Sequence, residues 1–213
     1  MIQATNAGGY ITVRFNPMGT RGETGSGFHA SVWAVSNNPV TVQKVSAFTP
    51  TEQAVAPGSK NEPLLGINIL TEGNIAPPVL TSVGVNLKNS AANIDSVALF
   101  TTGADADFSS SARVQLGKIA VKGNEQEINI PVAPDTLSAH SAYFWITCDV
   151  KASARGGDTV DAALTSLSTG CPLPTFTTPD PEGDREIQRI LLFKDGDNVV
   201  DTVSYTHLTL PTN

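Results

Sequence analysis

Three histidines, two cysteines and a scatter of acid groups are the side chains of this 213-residue chain from which catalytic or metal chemistry could be assembled. A histidine base needs a nucleophile on one side and an orienting acid on the other. His29 falls inside a strand-like run and His140 inside the turn Ser138-Ala139-His140-Ser141, neither with such neighbours in sequence. Isolated histidines without Cys or carboxylate spacing do not make a zinc site. Packing or surface roles are expected of both. The acid groups Asp105/Asp107, Asp158/Asp161, Asp180/Glu182/Asp184 and Asp195/Asp197 offer the oxygen ligands that calcium takes. Asp195-Gly196-Asp197-Asn198 comes nearest to a calcium loop but lacks the downstream Glu, and turn formation by Asp and Gly is the expected role. No metal and no cofactor are expected.

Cys148 lies in the run Tyr143–Val150, where alternation places Phe144, Ile146, Cys148 and Val150 on one face and Tyr143, Trp145, Thr147 and Asp149 on the other. One apolar and one amphipathic face predict a half-buried strand of an antiparallel sheet. Cys148 reads either as a free buried thiol or as the partner of Cys171 in a disulfide, which requires an oxidising compartment. Tyr143 and Trp145 are the best candidates for glycan stacking, since the C–H face of a sugar packs on an aromatic ring. Burial against the second sheet or a neighbouring domain is the role expected of them.

The elements that must position these residues are strands. Only 15% of residues are charged, while Gly, Pro, Ser, Thr, Asn and Val abound, which suits short strands and tight turns. Strand-like segments are predicted at Gly9–Phe15, Gly27–Val35, Thr41–Phe48, Leu64–Leu70, Leu80–Leu87 and Ile94–Phe100. Val114–Val121, Glu127–Val132, Ala142–Val150 and Thr159–Leu167 complete the series. Separators such as Ala56-Pro57-Gly58-Ser59 and Lys122-Gly123-Asn124 supply turn conformations. The pattern predicts an all-β fold, an Ig-like antiparallel β-sandwich over 37–170, with a partial β domain at 1–36. Pro172, Pro174, Pro179 and Pro181 make 171–186 an expected extended linker, after which 187–203 begins a further domain.

The net charge of −7 is spread without any Lys/Arg run, so nucleic acid is not an expected partner. No apolar run approaches the roughly 20 residues that span a bilayer, and no membrane span is expected. Met1–Asn6 has neither the basic nor the apolar region of a signal peptide, so the start reads as lying inside a domain and the chain as a fragment.

Several stretches resemble a known family. Asn93-Ile94-Asp95-Ser96-Val97-Ala98-Leu99-Phe100-Thr101-Thr102-Gly103 through Asp107-Phe108-Ser109, then Tyr143-Phe144-Trp145-Ile146 and Asp158-Thr159-Val160-Asp161-Ala162, resemble the accessory β-sandwich domain N-terminal to BNR-repeat exo-alpha-sialidases (neuraminidases) of Bacteroidetes-like bacteria. Ala54–Ser59 and Leu80–Leu87 fit the same family, so the resemblance covers 40–168. Pro181–Ile187 with Arg189–Phe193 is similar to the junction leading into a sialidase propeller. Tyr10–Phe15 with Gly27–Ala30 is similar to the closing strands of a CUB domain, although Asn16-Pro17-Met18 replaces the acidic residue of its calcium-binding members. Val203–Thr212 resembles translated sequencing-adapter read-through, and 204–213, with His207, is set aside as a non-native tail.

The resemblance implies a catalytic domain with an arginine cluster for the substrate carboxylate, a Tyr nucleophile activated by Glu, and an Asp acid/base. None of these can be placed on this chain. The family's Ser-x-Asp-x-Gly-x-x-Trp box is missing around Trp33 and Trp145, and Arg189-Ile190-Leu191 lacks the Pro of the family's Arg-Ile-Pro motif. The expectation is a non-catalytic accessory module of a secreted, periplasmic or cell-surface bacterial sialidase-like enzyme. Its partners would be the downstream catalytic domain of the same parent chain and a cell-surface glycan. The alternatives are an adhesive or structural Ig-like spacer of a non-enzymatic surface protein, and a carbohydrate-binding module.

Overall fold

The computed structural model describes residues 38–137 and 140–189 in full, and the backbone alone for 3–7, 10–14, 190–195 and 198–204. The predicted strand at Gly27–Val35, His29, Asp197 and the tail from 205 onward lie outside the described residues. Alternating and β-branched runs form β1 (Gln3–Ala7), β2 (Tyr10–Arg14), β3 (Thr41–Phe48), β4 (Glu62–Glu72), β5 (Val79–Asn86), β6 (Ile94–Gly103) and β7 (Val114–Ala120). Then come β8 (Glu127–Thr136), β9 (His140–Val150), β10 (Thr159–Val160), β11 (Ala163–Ser168), β12 (Arg185–Glu186), β13 (Ile190–Asp195) and β14 (Asn198–Ser204). One 3-10 turn, Ala91–Asn93, leads into β6, and no α-helix occurs among the described residues.

The ladders between these strands are antiparallel, and the fold is a sandwich of two sheets, as alternation predicts. The larger sheet has the order β3-β4-β9-β6-β7 and the smaller β11-β5-β8. Their facing sides share one aliphatic core. Val45, Leu65, Ile67, Ile69, Val97, Leu99 and Ile146 enter it from the larger sheet, Leu80, Val83, Val85, Ile130 and Leu164 from the smaller. Each such side chain, closed to water, contributes roughly 1.5–3 kcal/mol of transfer free energy. A bulge between Pro63 and Leu65 shifts the parity of β4, so that the consecutive Leu64 and Leu65 are both buried in the core. At one side the sheets meet edge to edge: a Cβ on Gly117 of β7 would lie 2.3 Å from Pro131 O of β8. Only a residue without a side chain fits there.

Two expectations are corrected. First, β9 is not half-buried. It is the middle strand of five, and every residue from Phe144 to Val150 is closed to solvent, so its second face must be covered as well. Second, Thr159–Leu167 is not one strand. Asp161 N–H donates to Ser90 Oγ (2.9 Å) and Ala162 N–H to Asp161 Oδ1 (2.7 Å). The chain turns there, leaving β10 paired with β12 and β11 paired with β5. Of the two roles open to Cys148, the structure has the free buried thiol. Both thiols are free; Cys148 faces the core, where burial pushes its pKa up to about 12, and Cys171 Sγ lies 3.3 Å from Thr169 Oγ1.

Candidate functional site

The covered second face of β9 holds both residues singled out for recognition. Register sets Phe48, Gly66, Trp145 and Phe100 side by side across β3, β4, β9 and β6. Gly66 is the enabling residue: a Cβ there would sit 2.2 Å from Phe48 Cζ, so the bare backbone lets the Phe48 ring lie across β4. The Phe48 ring thereby meets Trp145 edge-on, with centroids 5.5 Å apart and planes at 85°. Filling the space over a strand glycine with a cross-strand aromatic is a known stabilising device of sheets.

From the other side, the loop 104–113 folds Phe108 onto the cluster. Its ring centroid lies 5.8 Å from that of Phe100 and 5.6 Å from that of Trp145. Arg113 caps the stack, its guanidinium carbon 4.5 Å from the Phe108 centroid and 5.4 Å from that of Phe100. Asp105 and Asp107 shape this loop. Asp105 Oδ1 accepts from Asp107 N–H (3.1 Å), and Asp107 accepts from Ser109 N–H (2.9 Å) and Ser109 Oγ (2.8 Å). The Ser109 bonds hold the Asp107 carboxyl below its usual pKa. The expected turn role of this acid pair is what these contacts describe.

Trp145 is therefore 2% exposed, with its indole N–H donating to Thr102 Oγ1 (2.9 Å). Its ring faces are taken by protein, so it packs the cluster and offers no sugar platform. Tyr143 stacks beside it, centroids 6.5 Å apart and planes at 22°, and stays half-buried at the rim. The rim of the cluster is formed by Tyr143, Phe48 and Phe108, each half-buried, with the exposed Arg113. The register that assembles it could not be read from sequence, although Phe108 was among the residues carrying the family resemblance.

Further along the same face, Asp149 is almost wholly buried and collects donors. It accepts from Lys118 Nζ (2.6 Å), Ser96 Oγ (2.9 Å) and Asn61 N–H (3.0 Å), with Lys60 Nζ at 3.8 Å. Burial pushes its pKa up, but the bonds from Lys118, Asn61 and Ser96 outweigh that and leave it lowered. Between Trp145 and Asp149 the buried Thr147 hydroxyl meets no partner among the described residues.

The remaining candidates stay apart from this face. His140 is exposed at the start of β9, where its N–H donates to Thr71 Oγ1 (3.1 Å). Asp158 Oδ2 accepts from Asn93 Nδ2 (3.2 Å). Asp161, Asp180, Glu182 and Asp184 line an open cleft of about 470 Å³ with Lys88, whose ammonium lies 2.5 Å from Asp180 Oδ2. Burial, with Asp180 and Asp184 nearby, raises the Asp161 pKa against the Ala162 N–H bond and Lys88. Among the described residues no group of three or more His, Cys, Asp or Glu is arranged to hold a metal ion. No described helix is long and apolar enough to cross a membrane.

The fold so described is that of an all-β sandwich. The solved structure titled Hadza microbial sialidase Hz136 superimposes with a TM-score of 0.54 at 11% identity, covering 69% of this chain and 32% of that one. At that identity the likeness is one of fold. The chain spans about a third of that protein's length. No protein-family model and no curated protein matches the sequence.

Proposed function

We propose that this chain is a non-catalytic accessory module of a bacterial sialidase-like glycoside hydrolase, spacing and docking a catalytic propeller that lies elsewhere in the parent protein. The observation that carries this reading is the fold shared with a microbial sialidase over a minor part of that protein's length. It accords with the residues that resemble the sialidase-associated sandwich and with the way the prominent side chains are used. Trp145, Asp105, Asp107 and Asp149 are engaged in packing and turn contacts, which leaves them little freedom for acid/base or nucleophilic work. The parent enzyme would act at or outside the bacterial surface, where a glycan substrate is met.

The test is hydrolysis of a fluorogenic sialoside by the 213-residue chain, together with sequencing of the gene beyond the codon for Asp201. No hydrolysis, with Asp boxes and an arginine triad encoded downstream, is the expected result. Turnover by this chain, or an unrelated downstream domain, would overturn the reading.

A further inference from the structure

Residues 171–186 have the composition of a flexible linker, yet from Thr177 onward the chain is tied to the sandwich at successive points. Thr177 N–H donates to Val45 O (2.8 Å) and Ala47 N–H to Thr177 O (3.2 Å), which lays the segment along the open edge of β3. Thr178 Oγ1 donates to Ala47 O (3.0 Å), Leu164 N–H to Pro179 O (2.7 Å), and Thr49 Oγ1 to Glu182 O (2.7 Å).

Arg185 is the strongest tie. It is 5% exposed, and its fork donates from Nε to Gln53 O (2.7 Å), from Nη1 to Pro63 O (3.0 Å), and from Nη2 to Glu62 Oε2 (2.9 Å). A planar guanidinium engaged on all three nitrogens has little rotamer freedom left, and any movement of the segment must break these charged bonds together. Next to it Ile187, 0% exposed, donates its N–H to Asp158 O (2.7 Å) and accepts from Gly157 N–H (2.8 Å). Val55 completes the grip, its N–H donating to Glu186 O (2.9 Å) and its carbonyl accepting from Gln188 N–H (2.8 Å).

The loop beneath is cut to fit. A Cβ on Gly156 would lie 2.8 Å from Arg189 Cα and 2.9 Å from Gln188 O, and one on Gly157 would lie 2.7 Å from Arg189 Nη2. The Gly-Gly pair thus lets the outgoing backbone lie flush. Arg189 alone separates the last of these bonds from Ile190, where β13 begins.

We propose that residues 177–188 form a docked strap that fixes where and in which direction the chain leaves the sandwich. The chain beyond Arg189 is then held by a rigid junction. A free linker of this length would let its ends wander over on the order of 20 Å. The strap rests on contacts within this chain and holds whatever protein the module belongs to, so it stands or falls separately from the sialidase reading.

Hydrogen exchange read by mass spectrometry on the 213-residue chain tests it. The amides of Ile187 and Gln188 should exchange at least about 100-fold slower than in an unstructured peptide, while β9 serves as the protected reference. In Arg185→Met, which keeps the aliphatic stem and loses the donors, protection over 177–188 should fall at least about tenfold while that of β9 persists. Unprotected 185–188 beside a protected β9, or equal protection with and without Arg185, would overturn the strap. If Arg185→Met does not fold, Gly156→Val decides the matter, since it displaces Gln188 and Arg189 and spares Arg185. Loss of protection confined to 187–188 supports the proposal, and unchanged protection refutes it.

Discussion

The inner face of the five-stranded sheet and the centre of its outer face are both closed to water, and they are closed by different chemistry. The inner face buries aliphatic side chains against a second sheet, each in contact with partners from several strands. Among the described residues no second sheet packs on the outer face. That face covers itself with Phe48, Trp145, Phe100 and Phe108, and then with the Asp149–Lys118 network, all built around the same strand. Non-directional burial closes the first face, whereas the second depends on ring geometry, one glycine and one buried carboxylate with its two lysines. The inner face therefore tolerates change of shape poorly, while the outer one, bordered by half-buried groups, has room to relax.

The comparison is sharpened most by adjacent residues of β9 that point opposite ways. Phe144→Ala leaves a cavity in the aliphatic core and should cost about 4 kcal/mol in denaturant unfolding. Trp145→Ala deletes a larger side chain but should cost less, about 3 kcal/mol, because the rings of Phe48, Phe108 and Tyr143 can settle into the space. A Trp145→Ala loss exceeding that of Phe144→Ala would break the distinction between the two faces.

The ion network offers the next largest effect, and a pH signature that the aliphatic face cannot have. Asp149 has a lowered pKa in the folded state. Its contribution is therefore fully present above the unfolded carboxyl value of about 3.9 and is lost as pH falls through the lower folded value. Asp149→Asn should cost about 1–3 kcal/mol at neutral pH and flatten the decline of stability with pH below about 4. Thermal melts of both proteins across that range check it, and an unchanged acid slope would remove Asp149 from the account. The smallest expected change tests how completely the outer face is satisfied. Thr147→Val replaces a buried, unpartnered hydroxyl by a methyl group and should leave stability unchanged or raise it by about 1 kcal/mol in the same denaturant titration, where a clear loss would mean the hydroxyl has a partner.

Much of the fold was legible. Thr41–Phe48 was read to the residue, and the apolar set Phe144, Ile146, Cys148 and Val150 forms part of the core as alternation requires. What escaped depended on distant parts of the chain. Nothing near Phe48 in sequence announces that it lies over Gly66 and against Trp145, because register across three strands makes that meeting. Arg185 sits among prolines and acids and gives no local sign of a buried clamp; its partners Gln53, Glu62 and Pro63 are more than a hundred residues away. Tyr143 and Trp145 were identified as a pair, and the burial that separates their roles came from the loop carrying Phe108.

By itself, then, the sequence determined most strands of the sandwich, the class of fold and the side of β9 that turns toward the facing sheet, because a two-residue period and a turn are local properties of the backbone. Tertiary structure alone decided that β9 is covered on both faces, that both cysteines stay free, and that a proline-rich stretch is docked by Arg185. Each of these is settled by which distant groups come within hydrogen-bonding or van der Waals reach, and no local pattern encodes that.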